Sequence, residues 1–97
     1  MKPVQRIEIV IDARHAPAVV EVFARHGLTG WTLLRVEAGA GERGERRDDE
    51  LSGASGSSLL ITTCAPEALE AVTGDLRPLL RRVGGICLVS DARWLVH

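Results

Sequence analysis

The sequence predicts an α+β fold: one four-stranded sheet with two helices packed on a single face. Three observations carry that prediction. Val4 to Asp12 alternates apolar and polar residues with a period of two. Two stretches with helical spacing, about residues 15–26 and 65–82, each lie between strand-like runs. The two β-α-β halves are separated by about twenty residues, 38–57, that show neither period. The resulting order is β-α-β-loop-β-α-β, a ferredoxin-like βαββαβ sandwich built as one domain over residues 1–97.

In the first strand, Ile7, Ile9 and Ile11 share one face, while Arg6, Glu8 and Val10 share the other. A helix follows over about residues 15–26, with Pro17 in its first turn and Val19, Val20 and Phe23 as the inward stripe. Gly27 stands where a left-handed C-cap is expected. The second strand is Gly30 to Glu37, and the third is Ser58 to Cys64. Ala65-Pro66-Glu67 opens the second helix, whose Leu69, Val72, Leu76, Leu79, Leu80 and Val83 keep helical spacing. Gly74 and Pro78 are expected to bend or split that helix. Gly84-Gly85 ends it, and Ile86 to Val89 forms the fourth strand. Asp91 to His97 is left as a short tail able to add an edge strand. Two helices cover one sheet face only. With Val10 and part of strand two apolar on the bare face, a closed homo-oligomer is expected.

Composition narrows the function classes. At 97 residues and 45% hydrophobic content, the chain is an ordinary globular domain. A net charge of −1 gives no general attraction to nucleic acid or anionic membrane, and 3% aromatics leave no stacking platform for RNA. No apolar run reaches the length of a membrane span, and no secretory leader is evident, so a cytoplasmic protein is expected. Cys64 and Cys87 lack metal spacing and sit in apolar runs, as buried free thiols do. His15, His26 and His97 share no ligand spacing, so no metal is expected. Ser52, Ser55, Ser57 and Ser58 have no nucleophile-elbow context, so no catalytic residue is assigned and the chain is not expected to be an enzyme. Acylphosphatase-type chemistry shares the topology, but Asp12-Ala13-Arg14-His15 lacks the glycines of a phosphate loop.

The segment after the second strand holds what chemistry remains. Gly39-Ala40-Gly41 lets backbone amides approach an anion, and Arg43 adds a guanidinium suited to bidentate pairing. No Gly-Lys-Ser/Thr follows, so this is not a nucleoside-triphosphate P-loop. Glu42 to Glu50 places eight charges in nine residues, three Arg among five acids. Two readings of it stay open: a solvated segment, or one that folds against a ligand or partner.

Together these pieces resemble the P-II signalling proteins over almost the whole chain. The resemblance is carried by Gly30-Trp31-Thr32 in GLTGWTLLRVE, by Gly39-Ala40-Gly41 at the loop base, and by Gly84-Gly85-Ile86 entering the last strand. It implies a homotrimer with an adenine nucleotide in each inter-subunit cleft. It places Gly30, Trp31 and Thr32 near the base, and Gly39, Gly41 and Arg43 near phosphate. By the same resemblance Gly84, Gly85 and Ile86 are expected to form the opposite wall. It further implies that the loop, called the T-loop in that family, changes conformation with ligand and docks onto a transporter or enzyme.

The departures from the family pattern are informative. The chain has no Tyr, so the T-loop tyrosine used for covalent modification is absent. The turn before the last strand is cut to Gly84-Gly85, without the family's phosphate-binding Lys, and the chain ends at His97 before its phosphate-binding Arg residues. ADP, AMP or a cyclic nucleotide is therefore favoured over ATP. These features resemble the short carboxysome-associated and bicarbonate-transporter-associated (SbtB-like) branch. That branch implies bicarbonate held by Gly41 and Arg43 beside the nucleotide, control of inorganic-carbon uptake or fixation, and carboxysome or inner-membrane association only through a partner. The alternative is an oligomeric ferredoxin-like interaction module whose loop docks a protein without any ligand.

Overall fold

The computed structural model describes residues 1–41, 44–47 and 56–97. The chain forms β1 (Lys2–Asp12), α1 (Ala16–Arg25), β2 (Trp31–Val36), β3 (Ala38–Gly41), β4 (Gly44–Arg47), β5 (Ser57–Cys64), α2 (Leu69–Val83) and β6 (Ile86–Trp94). Four strands make one antiparallel sheet in the order β2-β5-β1-β6, the order of a split βαβ fold.

The isoleucine alternation of β1 sets the core. Ile7, Ile9 and Ile11 are sealed beneath the helices together with Leu60 of β5. Ala16, Val19, Val22 and Phe23 meet them from α1, and Val72, Leu76 and Leu79 from α2. The α1 stripe thus uses Val22, whereas Val20 is only half-buried at its margin. Gly27 closes α1 at φ +70°, the left-handed cap expected there. His26 Nε2 lies 2.7 Å from Asp75 Oδ2 and Arg25 Nη1 4.0 Å from the same oxygen, joining the end of α1 to the middle of α2.

Three expectations need correction. Of the bend or split expected at Gly74 and Pro78, the split is not found: α2 runs unbroken through both residues. Pro78 removes the donor for the Gly74 carbonyl, but both residues are on the exposed side of α2, where solvent can meet the carbonyl. The fourth strand does not stop at Val89, since β6 continues to Trp94 through the pairs Arg6–Ser90, Val4–Ala92 and Lys2–Trp94. The segment 38–57 is not wholly irregular either. Its first part is a separate two-stranded ribbon, β3–β4, in register from Ala38–Arg47 to Gly41–Gly44.

Both cysteines are free, Cys64 buried and Cys87 half-buried. Burial pushes the Cys64 thiol pKa up, with the nearby Glu67 charge adding to it, and burial raises that of Cys87 as well. At pH 8 a thiol reagent is expected to label Cys87 before Cys64, and both more slowly than in the denaturant-unfolded chain. Equal, rapid labelling of both would contradict the packing around Cys64.

Candidate functional site

Three connections converge at one end of the sheet. β2 leaves it at Val36, β5 enters at Ser57, and β1 ends at Asp12, with Ser57 paired to both Val36 and Asp12. The Ala13 amide donates to the Gly56 carbonyl at 2.9 Å, fastening the return of the loop to the β1–α1 junction. Asp12 organises that junction. Its Oδ1 accepts from the Arg14 amide at 2.9 Å and from Arg14 Nε at 3.0 Å, and its Oδ2 accepts from Arg14 Nη2 at 3.1 Å. The hydrogen bond, and then the carboxylate's charge, raise the Arg14 pKa above its ordinary value. The guanidinium fork is thus engaged by Asp12, which further disfavours an acylphosphatase-like role for Arg14. β6 starts at this same end, since Ile86 pairs with Val10. Gly84 and Gly85 lead into it at φ +81° and +121°.

The fold separates the residues expected to bind ligand into three groups. Gly30, Trp31 and Thr32 begin the outer strand β2, and the Gly30 carbonyl accepts from the Thr62 hydroxyl at 2.7 Å. Trp31 pairs with Thr62, which pairs with Ile7, so Trp31 stands on the helix-covered side. Thr32 is in register with Ile61 and through it with Glu8, on the open side. Adjacent strand residues point to opposite faces, so only one of these two side chains can meet a ligand lying on the open face. Gly39 and Gly41 are backbone positions of the ribbon, paired with Arg46 and Gly44. Arg43, the proposed guanidinium, lies outside the described residues.

Gly84, Gly85 and Ile86 lie on the other side of the sheet. Strands β5 and β1 stand between β2 and β6, so the two proposed walls are at least about 14 Å apart within one chain at ordinary strand spacing. The chain does not bring them together itself.

The open face joins these edges. Leu34, Leu59, Val10 and Ile86 form one row across all four strands, and Thr32, Ile61, Glu8 and Leu88 the next. Leu34, Ile86 and Leu88 are exposed on it. Asp12 and Arg14 were missed as parts of the loop anchor. An acid two residues before an arginine at a strand-to-helix junction was the available signal. Among the described residues, no group of three or more His, Cys, Asp or Glu is placed to hold a metal, and no helix is long and apolar enough to cross a membrane.

Residues 4–95 match the family described as Nitrogen regulatory protein P-II. The chain belongs to the P-II family. No curated protein matches the sequence. Among solved structures, CPII, a nitrogen regulatory PII-like protein from Thiomonas intermedia K12 bound to ADP, AMP and bicarbonate, superposes with a TM-score of 0.85 at 18% identity, covering 95% of this chain and 88% of that one. A PII-like signaling protein from Thermus thermophilus gives 0.76 at 17% identity, over 94% of this chain and 88% of that one. A DUF3240 family protein from Shewanella baltica gives 0.71 at 12% identity, over 100% of this chain and 96% of that one. The P-II fold therefore accommodates this chain's short turn at Gly84-Gly85.

Proposed function

We propose that this P-II chain is a non-catalytic sensor. It binds ADP or AMP together with bicarbonate in clefts between the subunits of a homotrimer, and signals through residues 38–57. The observation that carries this reading is the separation of the two walls. Gly30 to Thr32 begin the edge strand β2, whose far end leads into the ribbon glycines, and Gly84 to Ile86 lead into the opposite edge strand β6. A ligand touching both walls needs edges from two copies, and burial of the open apolar face supplies the reason for the copies to meet. Thr32 is the open-face side chain available to a base. Gly39 and Gly41 offer backbone amides to phosphate, and Gly41 with Arg43 suits a planar anion such as bicarbonate. That the Thiomonas CPII structure holds ADP, AMP and bicarbonate supports this choice of ligands.

In this reading the chain is of the carboxysome-associated or bicarbonate-transporter-associated kind. It acts in the cytoplasm, and a transporter or carbon-fixation protein docks on the loop. Ligand shifts the loop only by its differential affinity for the loop's conformations, so the nucleotide and the anion must both reach the loop base.

Calorimetric titration of ADP, AMP, ATP and cyclic AMP, each with and without bicarbonate at fixed pH, tests the reading. Saturable ADP or AMP binding that tightens with bicarbonate is the expected result, and no nucleotide binding at all would refute it. Arg43→Ala is expected to weaken anion-coupled binding roughly ten- to a hundredfold, the worth of one charge-assisted contact, while leaving the assembly mass unchanged. An unchanged affinity removes Arg43 from the site.

A further inference from the structure

The open face is not uniformly apolar. An ion pair, Arg6 Nε to Glu8 Oε1 at 3.0 Å, joins the second row to the one after it, with side chains 46% and 30% exposed. Both residues belong to β1, an inner strand. Glu8 is flanked in register by Ile61 and Leu88, and Arg6 by Thr63 and Ser90. A single carboxylate cannot use all five N–H donors of Arg6, and a single guanidinium cannot fill every lone-pair site of Glu8. Each chain therefore offers spare donor and acceptor capacity on the same face.

We infer that Arg6 of each copy donates to Glu8 of the next, so that a closed ring of alternating charges lies inside the assembly and restricts the open face to copies of this chain. This rests on the assembly proposed above. Covering the face desolvates Glu8, and a buried pair is tolerated only when its remaining hydrogen-bonding capacity is met. Arg6 has donors left after Nε is used, so it bridges its own Glu8 and its neighbour's. Each copy gives once and receives once, the head-to-tail relation that a rotationally closed ring satisfies. Equal and opposite charges on one face make that face complementary to itself, whereas an apolar competitor would bury the same charges without new partners.

The test is native mass spectrometry on wild type, on R6E and E8R, and on the double swap R6E/E8R. Isotope-labelled wild type is mixed with the swap after dilution through the monomer. Each single variant is expected to dissociate toward the 10.5 kDa chain, its midpoint concentration rising roughly tenfold or more. The double swap should assemble with itself yet exclude wild type, because every mixed contact sets Arg against Arg or Glu against Glu. Free co-assembly of wild type and swap would show that the pair acts only within each chain, overturning the ring while leaving the oligomer standing. A wild-type chain that remains at 10.5 kDa would overturn the assembly first and the ring with it. If a charge-reversed chain fails to fold, E8Q decides: an unchanged midpoint refutes the ring, and a tenfold weaker one supports it.

Discussion

Gly85→Ala is expected to destabilise the fold by about 2–4 kcal/mol, the sum of an unfavourable backbone and an overpacked contact. Gly85 is held at φ +121°, a conformation that side-chain-bearing residues rarely adopt. A Cβ there would stand 2.9 Å from the Val10 carbonyl oxygen and 3.2 Å from Leu80 Cδ2. The carbonyl belongs to an inner strand and cannot retreat without disturbing the β1–β6 ladder. For a domain of this size the melting temperature should fall by roughly 10–25 °C at fixed protomer concentration. Gly74→Ala is the matched control. Nothing lies within 4 Å of its Cβ position, and the residue is inside α2, so a gain of about 0.5–1 kcal/mol is expected. A Gly85→Ala protein melting within a degree or two of wild type would mean that β6 does not enter the sheet this tightly. The glycine at this corner is thus required by packing, whatever ligand passes over it.

Phe23→Ala should cost about 3–5 kcal/mol, because it empties the largest fully buried side chain. Phe23 is 0% exposed and belongs to the cluster that joins α1 to the β1 isoleucines and to α2. With total stability ordinarily about 5–15 kcal/mol, most of the folding margin would be lost. Urea unfolding followed by far-ultraviolet circular dichroism measures it, and the midpoint should drop while the m-value holds. Phe23→Leu keeps most of the volume and should lose clearly less. Equal losses for Ala and Leu would assign the effect to ring-specific contacts rather than to cavity formation.

The regular elements were legible wherever packing writes a period into the sequence. Ile7, Ile9 and Ile11 announced β1 because one face of an inner strand must be apolar, and Gly27 announced the end of α1 because a left-handed cap favours glycine. Legibility failed where only the backbone decides. β6 extends through Ser90-Asp91-Ala92-Arg93, a run without alternation, because its ladder to β1 needs amides and carbonyls rather than apolar side chains. The β3–β4 ribbon is equally silent: alanines and glycines carry no hydrophobic signal, yet their main chains pair. Val22 was passed over for Val20 because the helical phase of one short stripe leaves a neighbouring residue ambiguous.

The candidate site was legible as three motifs but not as a geometry. That Trp31 and Thr32 face opposite sides follows from strand pleating once the register is known. That Gly30 and Ile86 lie on opposite edges follows from the β2-β5-β1-β6 order, which no local stretch encodes. The ion pair of β1 belongs to the same class, since alternation puts Arg6 and Glu8 on one face of the strand but does not show what flanks them there.

The fastening of Ala13 to Gly56 makes the length of the loop cheap to change. With Val36 and Ser57 already paired, both ends of the intervening chain are fixed by the sheet itself, one strand spacing apart. The span between them can then drift in length almost without penalty, since doubling a loop adds only about 0.6 kcal/mol of closure entropy. An insert of different length at this point should therefore leave the isoleucine core beneath it folded.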